Sequence, residues 1–110
     1  MSRPVTLFTI QWGDLPLEEM CRQAQAMKYE GLELSASHLD MRRAASDSEY
    51  VKEVKELLQK YNLGCWAISN HLAGQCVADS IKSVYDSRLD GFAPAEFAGK
   101  PEEIKKWAID

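Results

Sequence analysis

The pattern that most limits this chain is an alternation of short β-like runs with longer amphipathic segments. Residues 5–10 are rich in β-branched and aromatic side chains, residues 31–35 form a brief apolar run, and Cys65-Trp66-Ala67-Ile68 forms another. Between the first two, Leu17, Met20, Cys21, Ala24 and Met27 recur at the spacing of one helix face. Val51, Val54, Leu58 and Tyr61 repeat that spacing before the third run. Pro16, Glu18 and Glu19 suit a helix start, where the backbone dipole favours negative charge. Ser46-x-x-Glu49 fits a capping box, residues 40–45 make one helical turn ahead of it, and Asn62-Leu63-Gly64 supplies a stop. The order is β-α-β-α-β, with strand starts at Val5, Gly31 and Cys65. Each connection is long enough to bring the next strand back parallel.

After the third run the pattern weakens. Gly74, Gly91, Gly99 and Pro94 punctuate residues 72–100, which read as a long excursion containing at most a short helix around Ile81, Val84 and Tyr85. Pro101-Glu102-Glu103 then opens a helix with Ile104, Trp107 and Ala108 on one face.

Side chains alternate across a strand, so parity assigns each face. Leu32 and Leu34 share one face of the second strand, and Glu33 and Ser35 the other. In the third, Trp66 and Ile68 are expected on one face, with Ala67, Ser69 and His71 opposite. The apolar face should lie beneath the helices, leaving a face that carries a carboxylate and an imidazole. A sheet covered on both sides would want apolar residues on both faces, whereas a barrel interior turns polar towards its carboxyl mouth. Gln11, Trp12, His38 and Ser69-Asn70-His71 are expected at that carboxyl edge, where ligands collect in α/β proteins.

A chain of 110 residues is one domain's worth of material, with a net charge of −4 that gives no support to capture of nucleic acid or an anionic membrane. Its apolar runs are too short to cross a bilayer, and no signal-peptide core follows Met1, so the cytoplasm is the expected compartment. The three cysteines lack CxxC spacing, which argues against a disulfide framework or a thiolate zinc site. Cys21 and Cys65 read as small core residues. Cys76 lies five residues after His71, but no third group is at hand to orient a base.

Gln11-Trp12-x-Asp14-x-Pro16-Leu17, Gly31-Leu32-Glu33-Leu34, His38-Leu39-Asp40 and Ala67-Ile68-Ser69-Asn70-His71-Leu72-x-Gly74-Gln75 together resemble the amino-terminal part of sugar phosphate isomerase/epimerase proteins. That family belongs to the xylose-isomerase-like TIM barrels, which also include type IV apurinic endonucleases. The resemblance spans nearly the whole chain but about three of eight βα units, so residues 1–110 are expected to be a single incomplete domain, a partial TIM (β/α) barrel with parallel strands. It implies a sugar or polyol substrate contacted by Trp12, His38, His71 and Gln75, with Glu33 at the pocket wall. It also implies a divalent metal in the complete domain, stabilising an enediolate while a carboxylate moves the proton, with ligands mostly from later strands. Asp86-Ser87-Arg88-Leu89 departs from an Asp-x-Arg-His pattern of close relatives.

The functional expectation is therefore the front part of a carbohydrate isomerase or epimerase, inactive and without metal as this chain alone. A complete barrel takes about 250 residues, so the open sheet should be covered by further chain or by a second copy. Two other readings stand beside it. One is a non-catalytic binding module whose polar sheet face docks a partner; the other is phosphodiester cleavage like that of the endonuclease relatives, disfavoured by the acidic balance.

Overall fold

The computed structural model describes residues 2–78 and 87–110, which divide into two compact units, residues 1–69 and 70–110. In the first unit the chain runs through β1 (Thr6–Phe8), a 3₁₀ turn (Ile10–Trp12), α1 (Leu17–Ala26), β2 (Gly31–Ser35), α2 (Met41–Ser46), α3 (Ser48–Lys60) and β3 (Gly64–Ser69). The three strands form one open sheet in the order β1-β2-β3, and both pairings are parallel. The alternation read from the sequence thus folds as expected into α/β.

The reason lies in the central strand. Leu32 and Leu34 stand two residues apart, so both side chains fall on one face, and they are 0% and 2% exposed. Cys21 and Ala24 of α1 and Val54 and Leu58 of α3 join them in one core, which places both helices on that face. Cys21 is sealed there, its thiol pushed up to about 11 by burial and by the charge of Glu18. Each helix ends by turning the chain left-handed, at Lys28 (φ 64°) and Asn62 (φ 55°). Lys60 and Tyr61 at the end of α3 both hydrogen-bond Glu18 at the start of α1, holding its carboxyl below the usual range. A depressed carboxylate contributes stability at neutral pH and loses it as acid protonates the folded state.

Two local expectations are corrected. Ser46 does not cap α3: it closes α2, where its hydroxyl donates to the Arg42 carbonyl at 3.2 Å. Asp47 is the cap, accepting from the Tyr50 amide at 3.0 Å. Second, parity fails within β3. Gly31 pairs with Gly64 and Leu32 with Cys65, but Glu33 pairs with Ala67, so Trp66 is an extra residue at a bulge. Cys65 stays with the helix-side core, and Ile68, paired with Leu34, returns to that face of the sheet while remaining largely exposed. Trp66 instead lies over Gly31 and Gly64, where a Cβ at either position would overlap its indole. Those glycines share their face with Glu33, so Trp66 is on the side away from the helices, not beneath them.

The second unit holds α4 (His71–Ala78), 3₁₀ turns at Ser87–Gly91 and Ala95–Phe97, and α5 (Pro101–Ile109). Cys76, Leu89 and Ile104 form its core, with Phe92, Phe97 and Trp107 packed against it. α5 opens at Pro101 as the sequence predicts. Residues 71–78 are helical rather than the start of a loop, and Ile81, Val84 and Tyr85 lie outside the described residues.

The cap assignment is open to a simple check. Asp47→Ala should lower the thermal midpoint, whereas Ser46→Ala should leave it nearly unchanged, because only the aspartate satisfies a helix N–H. The opposite ranking would restore the capping box.

Candidate functional site

The carboxyl ends of β1 and β2 meet in a closed set of hydrogen bonds. Thr9, fully buried, uses Oγ1 both to accept from the Ser35 amide at 3.1 Å and to donate to Ser35 Oγ at 3.3 Å. Its amide donates to the Glu33 carbonyl at 3.1 Å. From Thr9 the chain turns at once into the 3₁₀ segment: the Trp12 amide donates to the Thr9 carbonyl and the Leu15 amide to the Trp12 carbonyl, both at 3.0 Å. His38 then donates from Nε2 to the Leu15 carbonyl at 3.0 Å, which fixes its proton on that nitrogen. The His38 and Leu39 amides return to the Ser35 carbonyl at 3.0 and 3.1 Å. Midway, the loops approach so closely that a Cβ on Gly13 would lie 3.0 Å from Ser37 Oγ.

This frame presents Trp12 half-buried on a short turn at the carboxyl edge. Glu33, also half-buried, projects from the middle of β2 on the face away from the helices, beside Phe8 of β1 and Ala67 of β3. Ser69, paired with Ser35, ends β3. That face is open to solvent in part: Trp66 and Ala67 are exposed, and Phe8, Glu33 and Ser69 are half-buried.

The structure divides the residues expected at the site between the two units. Trp12, Glu33 and His38 all belong to the first unit, with Trp12 and His38 on loops at one edge. His38 is only 7% exposed, and its Nδ1 is buried without a hydrogen-bond partner. His71 does not continue the polar face of β3: the strand stops at Ser69, and His71 is the exposed first residue of α4. The Gly74 amide bonds back to the Asn70 carbonyl at 3.2 Å, so the helical turn already begins at Asn70. Gln75 lies one turn further along α4, exposed. Both belong to the second unit.

Thr9 and Ser35, the hydroxyl pair that builds the edge, were not singled out by motif. Their signal was slight: a hydroxyl residue at or just past the carboxyl end of each of two neighbouring strands. Among the described residues, no three His, Cys, Asp or Glu side chains come together as a metal-ligand set. No helix among them is long and apolar enough to cross a membrane. Compared with known proteins, the chain matches no protein-family model and no curated sequence.

Because Thr9 Oγ1 serves two buried partners, Thr9→Val should destabilise the protein by about 1–3 kcal/mol despite equal size. Chemical denaturation gives this directly, and an unchanged midpoint would mean that the pair holds nothing together.

Proposed function

We propose that this chain is the amino-terminal part of a βα-barrel domain that binds a sugar or polyol and, when complete, isomerises or epimerises it. One observation carries the reading: three parallel strands have both helices packed on one face, and the opposite face and carboxyl edge carry Glu33, Ser69 and Trp12. That is the arrangement of consecutive barrel units, in which chemistry belongs to the carboxyl mouth and stability to the shell. The motif resemblance supplies the substrate class. In the complete domain a divalent ion would polarise the substrate's oxygens, on ligands contributed by other strands. This chain's own share is a wall: Trp12 offers a flat apolar surface to a sugar ring, and Glu33 offers an acceptor for hydroxyls.

A second reading, a non-catalytic module that is covered by a partner or a second copy, is favoured by the edge of β3. Residues 64–69 carry no charge and no proline, and Trp66 and Ile68 are 62% and 56% exposed on opposite faces. Natural edge strands usually carry such protection. Ile68 also lines a cleft of about 460 Å³ with Leu34, Val54 and Leu58, which a further helix or a partner would fill.

The test is a binding and turnover assay with pentulose and hexulose sugars in the presence of Mg²⁺ or Mn²⁺. The chain alone should quench its tryptophan fluorescence with the sugar at about millimolar affinity, lose that response in Trp12→Phe, and show no turnover. Turnover by the chain alone would overturn the fragment reading. Absence of any sugar response, combined with a stable dimer in sedimentation, would favour the docking module.

A further inference from the structure

We propose that His38 is a positioning residue, which fastens the Trp12 loop to the loop after β2 and does not itself contact a ligand. The hydrogen bonds run in a ring: Thr9 carbonyl to Trp12 amide, Trp12 carbonyl to Leu15 amide, Leu15 carbonyl to His38 Nε2, His38 amide to Ser35 carbonyl, and Ser35 back to Thr9 Oγ1. Both backbone groups of Trp12 are held within it. Side chains close the ring at both ends of residues 9–15: Thr9, with Ser35, at the first and His38, on the Leu15 carbonyl, at the last. Remove the His38 donor and the Leu15 carbonyl loses that partner, which loosens the segment between Thr9 and α1 that carries the indole.

The same geometry speaks against His38 as a ligand contact. With the ring 7% exposed, Nε2 is committed to Leu15 and Nδ1 is buried. A ligand atom would have to displace the loop to reach either nitrogen. The fastening role stands on the hydrogen bonds alone; only the statement that it serves a bound sugar rests on the function proposed above.

Amide hydrogen exchange on the whole chain separates the possibilities. In His38→Leu the Trp12 and Leu15 amides should exchange about tenfold faster, while amides of Leu34 and Leu58 keep their rates. His38→Gln, whose amide nitrogen replaces Nε2 as donor, should restore protection to within about threefold. Should His38→Leu fail to fold, the imidazole nitrogen spectrum of the native chain decides: the proton belongs on Nε2 of His38, and a ring protonated on Nδ1 instead overturns the proposal. Equal exchange in the native chain and His38→Leu, or no rescue by His38→Gln, overturns it too. Ketose titration adds a separate arm. A His38→Gln variant that keeps its loop protected yet loses the native chain's ketose response would make His38 a ligand contact and contradict the proposal. A loop fastened as described in a chain that binds no ketose would sink the function alone.

Discussion

Two leucines on the central strand determine which side of this sheet the helices cover and which side they leave open. Leu32 and Leu34 are both essentially inaccessible, and each touches the core shared by α1 and α3. Truncating a leucine so placed costs roughly 2–5 kcal/mol, a large share of what a small domain possesses. Their common face commits the two helices to it, and Glu33, which stands between them in sequence, is thereby committed to the other. The polar arrangement at the carboxyl edge follows from that sorting, because the loops that leave β1 and β2 emerge where the helices do not cover the strands.

The bulge in β3 gives the opposite face a different character from the one strict alternation would produce. An inserted residue turns Trp66 over the backbone of Gly31 and Gly64, whose missing side chains make the room. Gly31 could not be otherwise, since a Cβ there would also strike the Gly64 carbonyl. These two glycines stand at the amino ends of their strands, so the indole occupies the end of the face opposite to Trp12.

The element order and the parallel sheet were legible because they depend on spacing and on hydrophobic periodicity, which persist whatever the details. Leu32, Leu34, Val54 and Leu58 were readable as core for the same reason. What failed was extrapolation of a regular period past an irregularity. Trp66 was assigned to the helix side because nothing in a single sequence announces an inserted residue, although two glycines in register opposite a tryptophan are the physical trace of one. His71 was placed on a strand face because Ala67-Ile68-Ser69 suggests continued extension; yet Ala73 and Cys76, both buried, have the spacing of a helix. The capping aspartate was one residue from the serine chosen, a distance that local patterns do not resolve. His38 was legible as a polar group at the carboxyl edge, but not its burial or its hydrogen bond to the carbonyl of Leu15, distant in sequence.

The two faces of β3 offer the most direct trial of this account. Nuclear Overhauser contacts between the Trp66 indole and the α protons of Gly31 and Gly64, with ring-current shifts on both, are the predicted result. Ile68 methyls should meanwhile contact Leu34 and Leu58. Indole contacts to Val54 or Leu58 would put Trp66 back beneath the helices, remove the bulge and contradict the division of the sheet into a helix-covered and an open side.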